Sequence, residues 1–401
     1  MMRAAVRWCG ALLLPLTLSA QSVAKAALSV GRVDTVWSAA LKEKRPILVY
    51  TPPSYTDTSF TPRSYPVLYL LDGDAHFHSV TALIQILATG VNGTFVVPEM
   101  IVVAIPNTNR MRDLTPTAAT FDPEGSPTKA FGGGGGMPAF FQFIKSELIP
   151  HIDSTFRTAP YRMFVGHSLG GLAAIDAIYT MPETFNSYVA IDPSLWWDRR
   201  LLLKQAKAFF NRPQPAGRTL YVAQANTLGA DDSLPNGHFN AIVQFNRILD
   251  TYNTSGIRYG FKYYPDDSHG SVPMIAEYDA LRYIFAGYAL DVQRAIRTPT
   301  HLAAHYDAVS KQLGYTVRPP EFVVDMLSQY ASDIDSTKVL PMLQLNTELY
   351  PKSARAYLML AENLARQRDT LRAKAAYERS LALSPGSALA REGLRKLGIS
   401  R

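Results

Sequence analysis

The chain has 401 residues and a formal net charge of +7, with 47% hydrophobic and 18% charged residues. These proportions are typical of a globular protein and exclude a disordered one. The length exceeds the size at which a single hydrophobic core stops growing, so we expect one large domain and an appended region. The basic residues form no dense run, and we therefore expect no nucleic-acid partner.

The N-terminus has the layout of a secretory signal peptide. A positively charged start precedes an apolar stretch over residues 8–18, which is too short to span a membrane. Small residues follow and allow cleavage after Ala20 or, with the better A-x-A match, after Ala26. The single cysteine, Cys9, lies in this segment, which suits an exported protein without disulfides. The sequence predicts a signal peptide over residues 1–26, no membrane span and a periplasmic or secreted mature protein.

Short apolar strands alternate with amphipathic helices between about residues 28 and 290. The predicted strands cover residues 47–50, 67–71, 101–105, 163–165, 188–191, 220–223 and 259–264. Helices are predicted between them, among them residues 139–148 and 239–249. This alternation is typical of an α/β fold with a doubly wound, mostly parallel sheet, in which ligands bind at the carboxyl ends of the strands.

A G-x-S-x-G pattern over residues 166–170 stands between the strand predicted at residues 163–165 and a following apolar helix. Strand, sharp turn and helix are the context that this motif needs, since small residues let the strand and the helix approach closely. Ser168 would lie at the tip of the turn, near the positive N-terminal end of the helix. We interpret Ser168 as a nucleophile of an α/β-hydrolase.

A serine hydroxyl needs a base, which in the chain order of this fold follows the last strand. His269 occupies that place, while the other histidines show no metal-ligand spacing, so no metal or other cofactor is expected. The group that orients His269 is open: the loop after residues 220–223 carries Asn226, Asp231 and Asp232, and Asp192 follows the preceding strand. We favour Asp231 as the third member, although a Ser-His dyad is also conceivable.

The oxyanion of an acyl-transfer reaction needs two backbone N–H donors. One should be the N–H of Leu169, directly after the nucleophile, and the other should follow an early strand. Because Gly73 permits an unusual turn after the strand at residues 67–71, we assign the second donor to Asp74. Five consecutive glycines at residues 132–136 lack the Lys and Ser/Thr of a phosphate loop and are interpreted as a flexible loop beside the site.

Strand signals stop after about residue 290. Helices are predicted over residues 302–313, 321–332, 337–349, 354–366, 370–383 and 388–396. Pro351 and Pro385 are 34 residues apart, which is the tetratricopeptide period. We predict about two such repeats in an all-α region over residues 291–401, with an irregular helical bundle as the alternative. These helices would bind a protein partner or dock onto the hydrolase domain, residues 27–290.

The assembled motifs resemble those of the esterase D-like α/β-hydrolases, in particular the siderophore-esterase-like branch that includes members with C-terminal tetratricopeptide repeats. The matching segments are residues 70–73, 107–116, 166–171, 193–198 and 269–273. The resemblance implies a serine hydrolase that cleaves carboxylic esters through an acyl-enzyme. The chain departs from many relatives at Asn226, where they carry an acid directly after the strand.

Four further residues are candidates for substrate binding. Arg110 and Arg112 would meet an anionic substrate, and Trp196 and Trp197 would provide an aromatic wall. The alternatives are an ion pair between Arg112 and Asp113 and a core position for one tryptophan. The predicted function is hydrolysis of a small-molecule ester, such as a siderophore or an aromatic acyl ester. The alternatives are acyl transfer to a sugar or peptide acceptor and a non-catalytic scaffold that binds a partner.

Overall fold

The computed structural model describes residues 28–89, 95–228 and 236–398. The strands in these ranges are β1 Arg32–Ser38, β2 Glu43–Tyr50, β3 Tyr65–Leu71, β4 Ile101–Ile105, β5 Thr158–His167, β6 Ser187–Ile191, β7 Thr219–Ala225 and β8 Arg258–Tyr264. They form one sheet in the order β1-β2-β4-β3-β5-β6-β7-β8. The pairs β1–β2 and β2–β4 are antiparallel, and all other neighbours are parallel. The predicted mostly parallel sheet is confirmed.

The helices up to the end of the sheet region are α1 Gly73–Thr89, α2 Arg110–Asp113, α3 Met137–Phe143, α4 Ile149–Thr155, α5 Leu169–Thr180, α6 Trp197–Phe210, α7 Gly237–Tyr252 and α8 Val272–Ile284. A π-helical turn, Ile144–Leu148, joins α3 to α4. Pro150 lies just beyond this turn. Because proline has no N–H and its ring clashes with the preceding turn, a regular α-helical ladder cannot continue there.

Two hydrophobic cores cover the two faces of the sheet. On β3, Leu68 and Leu70 face the core built with α1 and α8, whereas Val67 and Tyr69 face the core built with α3 to α7. Successive strand residues point to opposite faces, so a strand buried on both sides is apolar throughout. This is why the central strands were predictable from their composition.

The edge strand β1 was not predicted. Its outward side chains Val33 and Trp37 are 71% and 61% exposed, so only every second position is shielded. A strand with one buried face is recognised in a sequence by polar residues at its outward positions. Large apolar residues at two outward positions break this pattern in β1. The strand is nevertheless fixed by regular antiparallel pairing to β2.

The remaining helices are α9 Val292–Arg297, α10 Thr300–Leu313, α11 Glu321–Ile334, α12 Val339–Leu349, α13 Ala354–Arg366, α14 Thr370–Leu383 and α15 Ala388–Lys396. Six of them, α10 to α15, match the predicted helices to within about two residues, which is the usual uncertainty of a helix end. Neighbours α13 and α14 pack around Leu364, Ala373 and Tyr377. Their assignment to tetratricopeptide repeats stays a prediction.

The helical region packs directly against the sheet region. Val309 and Leu313 of α10 join the core beneath α8. The buried carboxylate of Glu321 accepts the Thr61 N–H at 2.7 Å and the hydroxyl of Ser353. Docking onto the hydrolase region, one of the two roles considered for these helices, is thus present in the structure.

No helix within the described ranges combines the length and the apolar character that a membrane crossing requires. The predicted signal peptide, residues 1–26, lies outside the described residues.

Candidate active site

Ser168 occupies a sharp turn between β5 and α5. Its backbone has φ 60° and ψ −115°, a conformation that costs energy for a residue with a Cβ and that is concentrated at functional sites. A Cβ on Gly166 would lie 2.2 Å from the carbonyl oxygen of Gly170, so the turn requires glycine there. A Cβ on Gly171 would come within 3.0 Å of the Ile191 carbonyl oxygen, at the end of the neighbouring strand. The glycines therefore let α5 start directly above the sheet.

Two backbone donors at this edge of the sheet remain free. The N–H of Leu169 begins α5 and the N–H of Asp74 lies in the first turn of α1, and neither donates a hydrogen bond to another residue in the described parts of the chain. Free N–H groups at helix N-termini attract negative charge. These are the two donors predicted from the sequence for the oxyanion.

His269 lies on the loop after β8, and its Nδ1 is 2.5 Å from Oδ2 of Asp192. Asp192 follows β6 and is fully buried, with φ 41°. Its Oδ1 accepts the N–H of Ala225 at 2.9 Å. Asp231, which we favoured as the partner of His269, and Asp232 lie outside the described residues. The partner that His269 has in the structure is Asp192, which was one of the alternatives.

Asn226, the other alternative, does not contact His269. Its side chain donates to the Pro265 carbonyl at 2.9 Å, and its N–H donates to the carbonyl of Asp267 at 2.8 Å. Asn226 therefore holds the loop that carries His269. The donation to the Pro265 carbonyl at the end of β7 requires an amide rather than a carboxylate. The carboxylate that contacts His269 comes from Asp192, which follows the adjacent strand β6.

The Asp192 carboxylate is ionised in its buried position. Burial alone would raise its pKa, but hydrogen bonds from His238 and His269 outweigh burial and hold the pKa of Asp192 well below its usual value. A charged carboxylate next to Nδ1 fixes the orientation and tautomer of the imidazole, which leaves Nε2 of His269 as the proton acceptor.

The ring of His269 packs against the ring of His167. The ring centroids of His167 and His269 are 4.5 Å apart, and His167 immediately precedes Ser168. Burial, followed by the neighbouring His269, lowers the pKa of His167 to about 4. Ser168 Oγ lies 3.4 Å from Ser194 Oγ, which is its hydrogen-bond partner among the described residues. Its hydroxyl is not yet bonded to His269, as is common in a site without substrate.

A second histidine contacts the same carboxylate and was missed from the sequence. His238, near the start of α7, places Nε2 at 2.9 Å from Asp192 Oδ2. In the described residues Asp192, His238 and His269 form the one group with a metal-compatible set of side chains, its ligand atoms lying within 4.8 Å of one another. Two ligands of a tetrahedral zinc ion stand roughly 3.4 Å apart, so the 2.5 and 2.9 Å spacings describe hydrogen bonds.

The two predicted substrate arginines are bound to acids of the protein itself. Arg110 makes two hydrogen bonds to Asp72, at 2.6 and 3.0 Å. Arg112 binds Asp113 at 2.6 Å and Glu43 at 2.7 Å. The ion-pair alternative is therefore the observed one for Arg112, and Arg110 shares this arrangement. Neither guanidinium is left as an unneutralised charge for an anionic substrate.

The two tryptophans differ in burial. Trp197 is 1% exposed, and its Nε1 donates to the carbonyl of Thr117 at 3.1 Å. It belongs to the core, which is the alternative given for one of the two tryptophans. Trp196 is half-buried and packs against Phe131 at a centroid distance of 5.3 Å.

The glycine-rich loop is tied to its surroundings, contrary to the expectation of a flexible loop. The N–H groups of Gly135 and Gly136 bind Thr115 Oγ1 at 3.1 Å and the Arg112 carbonyl at 2.9 Å. A Cβ on Gly134 would lie 2.5 Å from Thr115 Oγ1. Glycine is needed at this position because the loop passes directly over Thr115.

Comparison with known proteins agrees with this geometry. Residues 38–242 match the model of the Esterase family, described as "Putative esterase". The ferri-bacillibactin esterase BesA of Bacillus subtilis is 32% identical over 235 residues, which cover 55% of this chain and 79% of BesA. The chain belongs to the esterase family. It is a carboxylic ester hydrolase of the siderophore-esterase-like branch, as the sequence motifs implied.

Two further relatives support the assignment. The crystal structure of an IroE-like serine hydrolase from Shewanella oneidensis has a TM-score of 0.69 and 30% identity, and the match covers 79% of this chain and 99% of that one. The siderophore triacetylfusarinine C esterase of Aspergillus fumigatus is 32% identical over 152 residues, covering 36% of this chain and 49% of that esterase. The match to the Shewanella protein extends beyond the family-model segment and confirms the α/β-hydrolase fold.

Proposed function

We propose that this esterase cleaves its substrate with a Ser168–His269–Asp192 triad. The observation that carries the proposal is the buried Asp192 carboxylate at 2.5 Å from His269 Nδ1, with the His269 ring packed at a tilt against His167, the residue that precedes Ser168. Asp192 takes the place in the triad that the sequence alone favoured for Asp231.

In the first step Ser168 Oγ attacks the ester carbonyl while its proton passes to Nε2 of His269. The N–H groups of Leu169 and Asp74 stabilise the oxyanion of the tetrahedral intermediate. The carbon–oxygen bond to the alcohol then breaks, and His269 returns the proton to the leaving alkoxide. In the second step His269 takes a proton from water, the hydroxide attacks the acyl-enzyme, and Ser168 is released with its proton restored.

We infer that the substrate is an ester of an iron-chelating siderophore, or another ester with an aromatic acyl group. Support comes from the relatives, which are named for ferri-bacillibactin and triacetylfusarinine C hydrolysis. Trp196 and Phe131, half-buried and in contact, offer an aromatic surface for such an acyl group. A periplasmic or secreted location, proposed from the N-terminal sequence, would place the enzyme where siderophores are taken up.

Acyl transfer and a non-catalytic scaffold are not favoured, because the relatives named for a function are esterases or hydrolases. For the helical region we propose primarily a structural role, since its Glu321 is used to hold Thr61 of the hydrolase region.

The proposal is tested by labelling the folded protein with a fluorophosphonate probe and by assaying p-nitrophenyl acyl esters. We expect labelling and turnover in the wild type and neither in Ser168→Ala. Ser194→Ala is the matched control. Ser194 Oγ lies 3.4 Å from Ser168 Oγ but is not the proposed nucleophile, so this variant should still be labelled. A Ser168→Ala protein with wild-type turnover would contradict the triad.

The substrate class is tested by a panel of ferric and iron-free tris-catecholate lactones, aromatic sugar esters and simple alkyl esters. The expected result is a kcat/KM for the catecholate lactones at least tenfold above that for alkyl esters of similar leaving group. Equal kcat/KM values across the panel would overturn the substrate inference without affecting the triad.

A further inference from the structure

We propose that His238 is a positioning residue for the catalytic acid: its Nε2–H holds the Asp192 carboxylate in the orientation that meets His269. This inference rests on the proposed triad and adds a member that does not touch the substrate or Ser168. The two imidazoles share one carboxylate oxygen, at 2.9 Å from His238 Nε2 and 2.5 Å from His269 Nδ1.

The place of His238 is set by the start of α7. Asn236 caps this helix by accepting the Phe239 N–H at 2.8 Å. A Cβ on Gly237 would lie 1.6 Å from the Pro123 carbonyl oxygen, so the helix starts in close contact with the backbone at residue 123. Since cap and glycine both fix the first turn, the neighbouring His238 side chain is held toward Asp192.

The hydrogen bonds of Asp192 show why such a residue is needed. Oδ1 accepts only the backbone N–H of Ala225 among the described residues, and Oδ2 faces the two imidazoles. The second donor at Oδ2 opposes rotation of the carboxylate. The His238 and His269 rings stand at 88° with centroids 5.2 Å apart, so the two donors approach the oxygen from different directions.

His238 is well shielded, with 14% of its side chain exposed, against 41% for His269. His269 therefore faces the substrate side, and His238 lies behind the acid. Among the described residues, the charged or titratable neighbours are Asp192 and His269, with His167 packed at a tilt against His269 and His76 next to His167 at 5.8 Å. In sequence Asp231 and Asp232 precede α7 and lie outside the described residues.

The experiment compares His238→Gln with His238→Leu on a p-nitrophenyl ester at neutral pH. Glutamine places an amide N–H near the position of Nε2, whereas leucine has no donor. We expect His238→Leu to lower kcat about tenfold with KM nearly unchanged, because a hydrogen bond to a charged group is lost. His238→Gln should restore kcat, because its amide N–H replaces the lost donor.

A readout that does not depend on turnover is the downfield proton resonance of the His269 Nδ1–H bonded to Asp192, assigned by its loss in His269→Gln. We expect this resonance to move upfield in His238→Leu, because the carboxylate is no longer held toward Nδ1, and to stay in place in His238→Gln. Thermal unfolding of both variants confirms that they are folded. A wild-type kcat and an unmoved resonance in His238→Leu would overturn the inference, as would a His238→Gln protein that resembles His238→Leu. Failure of the triad itself would appear separately, as unchanged activity in Ser168→Ala.

Discussion

Arg110 ties Asp72 to the nucleophile turn. Its Nε and Nη2 bind the two carboxylate oxygens of Asp72 at 2.6 and 3.0 Å, and Nη2 also donates to the carbonyl of His167 at 3.2 Å. Asp72 has φ 51° and directly precedes the turn that carries the Asp74 N–H. One guanidinium therefore connects the two halves of the proposed oxyanion site.

We expect Arg110→Met to leave the buried Asp72 carboxylate without its charged partner and to lower the free energy of unfolding by about 3 kcal/mol. In the folded variant kcat should fall as well, because the two N–H donors are no longer held together. Chemical denaturation and ester hydrolysis measure the two effects. Arg112→Met is the control, because Asp113 keeps its 2.6 Å contact with Arg45 and lies away from the nucleophile turn. A similar kcat loss in both variants would contradict this role of Arg110.

Asp192→Asn should lower kcat by roughly 10³ to 10⁴, since an amide next to Nδ1 favours the wrong tautomer of His269. Asp231→Asn is the matched comparison and should keep near wild-type turnover. Both are measured with the same p-nitrophenyl ester at neutral pH. If Asp231→Asn caused the larger loss, the triad acid would have to be reassigned to the loop after β7.

Trp196 and Trp197 should respond differently to truncation. Trp197→Ala removes a side chain that is 1% exposed and should cost about 3 to 5 kcal/mol of stability. Trp196→Ala should cost less and should instead raise KM several-fold for esters with aromatic acyl groups, with alkyl esters unaffected. Equal KM changes for aromatic and alkyl esters would argue against an aromatic wall at Trp196.

Because of Glu277, we expect the free energy of unfolding to decrease as the pH rises. Its side chain is buried on α8, with His76 Nδ1 at 3.5 Å and Ser79 Oγ at 3.2 Å. Burial raises the pKa of Glu277 to about 8 and lowers that of His76, so the contact joins two neutral groups and is not an ion pair.

Because the folded pKa of Glu277 lies above the unfolded value of 4.5, the folded state retains a proton that the unfolded chain has lost between these two pH values. The free energy of unfolding therefore decreases as the pH rises through this window. Glu277→Gln should remove this decrease and raise the melting temperature at pH 8.5 by several degrees. Glu183→Gln, at a side chain that is 78% exposed, is the control. If the melting temperatures of the wild type and of Glu277→Gln changed in parallel with pH, the raised pKa of Glu277 would be refuted.

The local elements were largely determined by the sequence. Central strands such as β4 are apolar at every position because both faces of the sheet are covered. The turn at Ser168 was predictable because glycine is required wherever backbones approach, and this requirement is visible in the sequence itself. The helices from α10 onward carry a regular apolar periodicity and were predicted to within a few residues.

The tertiary structure decided which side chains meet. Asp192 and the acids after β7 follow neighbouring strands in the sequence, so chain order made all of them candidates for the partner of His269 and left the choice open. The packing of the Asp192 turn against Ala225 places this carboxylate at Nδ1 of His269. His238 carried no signal of its own, because a histidine at a helix start contacts Asp192 only once α7 is docked on Pro123. The periodicity of apolar residues and the residues that form turns can be identified in the sequence itself. A hydrogen bond between residues 77 positions apart depends on how the elements pack.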